Sequence, residues 1–481
     1  MSLGTMFWII TAVLCGAFLF ISWKVSGKAK SSFKEYAIGG KSFPWYLLFF
    51  TQFATIMGVG NFVGHAGKGY ANGMPWMWFI LGEQGSKIIF ALAIAGFAGK
   101  FAYKTFPELI HDLISRDKVT RLLSGILASS IMIAWTGGQG KAFGAIFNVV
   151  TGANPIPIII LFSAVFILYT TLGGIHSVVW TDLFQGILVL IFGTIFYIVA
   201  LGKINFSLAV LGERLAAIGK GEMMGFGLSD PLKVITMLVT GTVGIIVAQI
   251  YWQRCFSAKS ARVAKTSLFW SGLISILMVM LTAVVGMIIL TLNQGIKPDN
   301  AMPWFMMNAV PTFVAAMIFT LILAAGMSSA DSNLNSASVL IVNDVILPFK
   351  PGLKDDQLVN LAKIFTVIIG VVACAAAIIA PSIMDLFSRA YSMAGAGLVP
   401  LLVIGVAWKQ RPGEAFAEGK RNSRITPWAS RSGIVAGAVL SQIKALGPNR
   451  LLLALAVSAI VIIVVSLVTP PVKDESAKVT A

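Results

Sequence analysis

The run FILYTTLGGIHSVVWTDLFQGILVLIFGTIFYIVAL, residues 166–201, carries one charged side chain, Asp182. About 20 apolar residues are enough for a helix to cross the hydrocarbon layer of a membrane. This run is long enough for the greater part of two crossings, with Gly173 and Gly174 between them. Backbone groups in lipid must bond within their own segment, so the run reads as helices. A transmembrane barrel would instead show short segments of alternating polarity.

Runs of the same kind recur on both sides of it, down to LLLALAVSAIVIIVVSLV at 451–468. The apolar segments lie near 5–23, 43–64, 74–98, 122–149, 156–174, 177–202, 233–252, 266–293, 313–346, 361–380, 384–408, 432–446 and 451–469. The segment at 432–446 is short and holds Lys444, so the expected count is 12 or 13 spans. Of the 481 residues 57% are hydrophobic and 11% charged, against roughly 25% charged in soluble domains. The class is an all-α, multi-pass membrane protein in a lipid bilayer. The first run has no basic leader or clear cleavage site and reads as a retained span, not a signal peptide.

The net charge of +17 does not point to nucleic acid. Excess Lys and Arg in such a chain marks the cytoplasmic loops. With the N-terminus outside, the inward segments carry 25 of the 36 basic residues, among them Lys28, Lys30, Arg254, Lys473 and Lys478. That bias sets the first span outside-to-inside and favours 13 spans. Cys15, Cys255 and Cys374 show neither metal spacing nor a disulfide framework. His65, His111 and His176 are scattered and no nucleophile constellation is present, so an enzyme is not expected. The longest polar stretches, about 99–121, 203–232 and 409–431, are each short enough to be a loop or a surface helix rather than a domain. The short tail after about residue 470 argues against a sensor with an appended signalling domain.

Two spans look interrupted. TQFATIMGVGNFVGHAGKGYANG, residues 51–73, crowds glycines into its outer half, and VTGTVGIIVAQIYWQR, residues 239–254, holds Gly241 and Gly244. Glycine costs a helix about 1 kcal/mol relative to alanine. These glycines either let helices pack closely or mark unwound points whose carbonyls face a site. GVGNFVG at 58–64 is not a dinucleotide loop, because no strand precedes it. Interrupted helices five spans apart are the sequence pointer to inverted repeats with a midplane site.

Ionisable residues inside spans are costly, about 3 kcal/mol on insertion scales. The chain keeps Glu83, Lys87, Lys141, Asp182, Asp331, Asp385 and Arg389 there. Glu83 with Lys87, and Asp385 with Arg389, have the i,i+4 spacing of a self-neutralising pair. Asp331 lies in LILAAGMSSADSNLNSASVL, residues 321–340. Ser328, Asp331 and Ser332 share one helical face, with Ser329 beside them and Ala325 one turn earlier. Hydroxyls and a carboxylate facing an unwound backbone suit sodium, a hard cation that prefers oxygen. Small residues that merely allow tight packing explain the serines but not the acid.

Several strings together resemble the sodium/solute symporters, the family of bacterial proline, sialic acid, pantothenate and sugar carriers. They are EYAIGGKSFPWY (35–46), TLGGIHSVVWTDLFQG (171–186), QRCFSAKSARVAK (253–265), AAGMSSADSNLNSAS (324–338) and AWKQR (407–411). The resemblance covers roughly 30–410 and rests on their order and spacing. It implies a LeuT-type fold of two inverted repeats of five helices. The parts would be 1–42, an N-terminal span and cytoplasmic loop; 43–202, the first repeat; 203–232, an extracellular loop; 233–408, the second repeat; and 409–481, C-terminal spans and tail.

By the same resemblance the main sodium site takes carbonyls of Ala54, Met57 and Ala325 and the hydroxyls of Ser328 and Ser329. A second sodium site maps to Asp182, Asp331 and Ser332, where aspartate at 331 departs from the serine or threonine of many relatives. One or two sodium ions are therefore implied. The solute positions are Gly58, Gly60, Asn61, Glu83, Gln84, Gln139, Lys141, Thr242 and Gln249. Lys141 either meets a solute carboxylate, pairs with Glu83 or reaches toward a surface. The expected function is sodium-coupled import of a small polar organic solute, with an organic acid or amino acid favoured over a sugar. A monomer would suffice, in the inner cell membrane. A proton-coupled carrier, a channel and a transporter-like sensor are the rivals.

Overall fold

The computed structural model describes residues 2–25 and 32–470. Lys28, Lys30, Lys473, Lys478 and the rest of the tail lie outside them. Thirteen long helices follow one another among the described residues. They are α1 (Leu3–Val25), α2 (Trp45–Ile56 and Gly60–Asn72), α3 (Met74–Ala98), α4 (Lys118–Thr151), α5 (Pro155–Thr171), α6 (Gly174–Gly202) and α7 (Pro231–Ile246 and Gln249–Ser257). After these come α8 (Ala261–Leu292), α9 (Thr312–Ile346), α10 (Asp355–Ile379), α11 (Ile383–Ala407), α12 (Pro427–Leu440) and α13 (Arg450–Val468). Of the described residues 82% are helical, and no strand is formed among them.

The two expected interruptions are real. α2 bends by 44° and α7 by 41°. Their physical causes differ. In α2 the helix stops at Met57 (φ −81°, ψ 33°), beside Gly58, and resumes as a π turn over Gly60–Gly64. In α7 the break falls at Val247 and Ala248, which are not glycines. Gly241 and Gly244 lie within its helical first half and serve packing. A Cβ on Gly241 would come within 2.6 Å of the Phe79 carbonyl, and one on Gly82 within 2.0 Å of the Leu238 carbonyl. Both readings of the glycines therefore hold, at different residues.

The turn between α5 and α6 sits on Gly174, whose φ of 53° with ψ of −156° excludes side chains. A Cβ there would also meet the Tyr36 ring at 2.7 Å. The twelfth expected span, 432–446, is shifted toward the N-terminus: α12 ends at Leu440, and Lys444 lies in a separate turn, Lys444–Leu446. Its 14 residues measure about 21 Å at 1.5 Å per residue. It packs between α11 and α13.

α9 is the most enclosed of the spanning helices, and α1 and α13 are the most open. α9 packs on α4, α5, α6 and the first half of α2, while α7 packs on α3 and α11. The apolar faces left on the outside, such as Ile364, Ile368, Val371 and Val372 of α10, have no core to enter. They are what a lipid-facing helix presents.

Candidate functional site

Breaking α2 frees backbone groups that a helix would have paired, and each must find a partner in so dry a place. The Val59 amide donates to Gln139 Oε1 at 2.8 Å. The Ile56 carbonyl accepts from the Asn61 side-chain Nδ2. The Thr55 carbonyl accepts from Ser329 Oγ at 2.8 Å. The break thus faces the serine stripe of α9, and it does so at close quarters. A Cβ on Gly58 would lie 2.2 Å from Ser329 Oγ, and one on Gly326 would lie 2.6 Å from the Val59 side chain. Ala54, Met57, Ala325, Ser328 and Ser329 are all buried around this junction.

A second cluster adjoins it. Asp182 Oδ1 accepts from Ser328 Oγ at 2.5 Å, and Oδ2 accepts from Thr51 and, at 3.3 Å, from Ser332 Oγ. Asp331 accepts from the Ser332 amide at 2.6 Å and from Thr181 Oγ1 at 3.3 Å. Sequence reasoning placed Arg254 among the inward loop charges. It is instead buried in the second half of α7, 1% exposed. Its Nη2 donates to Ser332 Oγ at 2.6 Å and Thr51 Oγ1 at 3.2 Å, 3.9 Å from Asp182 Oδ2. Two carboxylates and one guanidinium carry a formal net charge of −1.

On the other side of the break lies a small cavity of about 30 Å³. Gly58, Gly60, Asn61, Glu83, Gln84 and Gln139 line it, so six of the nine expected solute positions come together. The other three do not line it. Thr242 Oγ1 donates back to the Leu238 carbonyl at 2.9 Å and to Gly82 at 3.3 Å, which stitches α7 to α3. Gln249 accepts from the Phe106 amide and donates to the Lys104 carbonyl, tying the loop after α3 to α7. Lys141 donates to the Ala377 and Ala380 carbonyls at 3.3 and 2.7 Å, where the exposed C-terminal dipole of α10 favours a cation.

The i,i+4 pairs also resolve differently. Asp385 meets Lys68 at 3.7 Å. Glu83 accepts from Tyr391 at 2.5 Å, from Gln84 at 2.9 Å and from His65 at 3.0 Å. Trp76 Nε1 donates to His65 Nδ1 at 3.0 Å, which leaves the proton on Nε2 and the imidazole neutral. Lys87 turns to Gln84 Oε1 at 2.5 Å and lines the cavity. The aromatic walls, Trp135, Tyr251, Phe387 and Tyr391, had no signal in the sequence beyond lying on spans. The same holds for Asn333, although it lies in the α9 polar stripe.

Residues 36–414 match the profile of the Sodium:solute symporter family. The sodium/glucose cotransporter of Vibrio parahaemolyticus is 25% identical, over 84% of this chain and 80% of its own. The sodium/pantothenate symporter of Haemophilus influenzae is 25% identical over 81% and 82%. The high-affinity choline transporter 1 of Drosophila melanogaster is also 25% identical, but the match spans only 62% of its length. Among solved structures, a substrate-bound, outward-open Na+-coupled sialic acid symporter superposes with a TM-score of 0.79. That match has 20% identity and covers 97% of this chain and 99% of that one. MhsT in complex with L-phenylalanine gives a TM-score of 0.56 at 15% identity, over 89% and 99%. The architecture is the LeuT-type fold.

Proposed function

This chain belongs to the sodium:solute symporter family, whose members are transporters and not enzymes, and from that premise we propose that it imports a small polar organic solute with sodium by alternating access. The observation that carries this reading is the junction of the α2 break with α9. There Ser329 bonds the Thr55 carbonyl at 2.8 Å and Ser328 bonds Asp182 at 2.5 Å. Each hydroxyl proton already has an acceptor, so the hydroxyl lone pairs are left for a cation. Those oxygens, with the carbonyls of Ala54, Met57 and Ala325, form a neutral set of hard donors suited to one sodium.

A second sodium belongs at Asp182, Asp331 and Ser332. The formal charge of −1 left by two carboxylates and Arg254 is expensive at this depth, and one more monovalent cation cancels it. The solute occupies the neighbouring cavity beside Gly58, Gly60, Asn61, Glu83, Gln84 and Gln139. An organic acid or amino acid suits it better than a sugar. The lysine in reach is Lys87, since Lys141 is engaged at the end of α10.

Sodium entering from outside ties α2 to α9 and favours the state that binds solute. By linkage each ligand then raises the affinity of the other by the same factor. The bundle rocks to face inward. There a negative potential, about 2.3 kcal/mol per charge per 100 mV, opposes sodium's return. In this reading the N-terminus is outside, residues 203–232 are extracellular, and a monomer in the cell membrane suffices.

The test is purified protein in proteoliposomes, with influx of radioactive sodium and of candidate solutes followed at fixed pH. Solute-dependent sodium influx is expected. Solute uptake that continues undiminished when potassium replaces sodium would reject sodium coupling in favour of protons.

A further inference from the structure

The cavity beside the α2 break holds a buried cation with unused donors. Lys87 is 2% exposed and sits in the middle of α3. An ammonium group has three N–H donors. Among the described residues one of them has a partner, the neutral side-chain carbonyl of Gln84 at 2.5 Å. Below it lies the face of Tyr251, 5.8 Å from the nitrogen, a distance that favours a cation without giving it a hydrogen bond.

The acid that sequence spacing offered as its partner is committed elsewhere. Tyr391, His65 and Gln84 all donate to Glu83, and Trp135 and Trp76 in turn hold Tyr391 and His65 in place, at 2.8 and 3.0 Å. Glu83 therefore aligns Gln84, and Gln84 presents its carbonyl to Lys87. Two ammonium donors remain on a side chain that is almost fully buried. A buried charge so poorly hydrogen-bonded is costly unless a ligand completes it.

A second unfilled group faces the same space. Asn333 on α9 is 1% exposed and lines the cavity, and its Oδ1 accepts no hydrogen bond. The cavity thus lacks one anion with two acceptor oxygens and one neighbouring hydrogen-bond donor.

We propose that Lys87 is the carboxylate-binding residue of the solute site, and that the solute is a small monocarboxylate bearing a hydroxyl or ammonium next to the carboxyl, which donates to Asn333. A carboxylate accepts from both spare donors of Lys87, a charge-assisted contact about twice as strong as a neutral one. This rests on the reading of the cavity as the solute site, and it deepens that reading by naming the chemical group recognised and the residue that recognises it.

The experiment compares thermal stabilisation of the full-length purified protein by matched acids and amides. L-lactate, L-alanine and L-proline are each run against lactamide, alaninamide and prolinamide, with D-glucose alongside. Every solute is measured in sodium chloride and in potassium chloride. The expected result is that at least one acid raises the Tm while its amide and glucose do not. In Lys87→Gln that acid response falls at least tenfold in affinity, and in Lys87→Arg part of it returns. The shift given by sodium alone, measured in both variants, shows that they are folded.

The proposal is overturned if an amide stabilises as well as its acid, if Lys87→Gln keeps the acid response, if glucose alone binds, or if no acid binds the wild type. An acid response that depends on Lys87 but is indifferent to sodium leaves the proposal standing and removes sodium coupling instead.

Discussion

The hydroxyl of Ser329, in the middle of α9, donates to the carbonyl of Thr55, in the last turn before α2 breaks, across 2.8 Å. The two residues lie far apart in the chain, on different spanning helices. Their contact holds a ruptured helix against an intact one. Ser328, its neighbour, donates to Asp182.

If these hydroxyls hold sodium, losing either removes one oxygen from the ion's shell. Losing a hydrogen-bonding partner in a buried site costs roughly 1–3 kcal/mol, which is about 5- to 150-fold in affinity. Ser328→Ala and Ser329→Ala are expected to raise the sodium concentration for half-maximal uptake by amounts in that range. The maximal rate at saturating sodium should fall less. Sodium-independent uptake in both variants would end the assignment of this site.

Gly58 is the residue that lets the two helices approach. A Cβ there would stand 2.2 Å from Ser329 Oγ and 3.2 Å from Gln139 Oε1. Alanine also favours helix over glycine by about 1 kcal/mol, which acts to close the break. Gly58→Ala is expected to weaken sodium binding more than tenfold, read as the sodium dependence of the Tm. An unchanged dependence would show that the break tolerates a side chain and that Ser329 is not tied to it.

Sequence alone carried the spans, the interruptions and the serine stripe, because each rests on local composition. The run 166–201 with its single charge can only be membrane helix, and Gly-rich residues 58–67 cannot make a regular one. What it did not carry depends on partners distant in the chain. Thr242 and Gln249 lie on the broken helix α7, yet they turn to Gly82 and to the Lys104–Phe106 backbone, contacts invisible in their own segment. Glu83 and Lys87 had the spacing of an ion pair, but His65 and Tyr391 reach Glu83 first. Arg254 follows an apolar run and so resembles a loop cation, although the bend in α7 carries it into the core. The 432–446 segment was misplaced because its helix starts at the polar stretch PWASRS, where Thr426 caps it.

Asp117 ties the start of α4 to α12. It caps α4 through Thr120, at 2.8 Å, and grips Arg431 at 2.6 and 2.8 Å. Burial acts to raise its carboxyl, but the Arg431 and Thr120 hydrogen bonds outweigh this and hold it below the usual carboxylate range. A carboxyl depressed in the folded protein stabilises above its unfolded value, near pH 3.9, and loses that contribution as the pH falls through the folded one. Asp117→Asn should therefore destabilise the protein by about 1 kcal/mol or less, the worth of a partly exposed ion pair, since asparagine caps a helix as well as aspartate does. The difference in Tm from wild type should be constant between pH 6 and 8. A difference that grew or vanished across that interval would mean that another group sets it.

The pairing of Asp182 with Arg254 makes the number of ions testable. Asp182, Asp331 and Arg254 together leave one negative charge, so a solute entering with two sodium ions leaves the cluster neutral during the crossing. Asp182→Asn removes that charge and replaces one accepting oxygen by an NH2, so that either the Ser328 contact or the Thr51 and Ser332 contacts are lost. The expected outcome is a fall from two sodium ions per solute to one. It is read from the membrane potential at which a fixed solute gradient is just balanced in proteoliposomes. The shift needed is large, since each ion contributes about 2.3 kcal/mol per 100 mV. Arg254→Gln works in the opposite direction: it leaves two carboxylates facing each other with one sodium between them. Its stability should become steeply dependent on sodium where the wild type's is shallow. An unchanged ion count in Asp182→Asn, together with an unchanged sodium dependence in Arg254→Gln, would remove the second ion and leave Arg254 as the cluster's permanent cation.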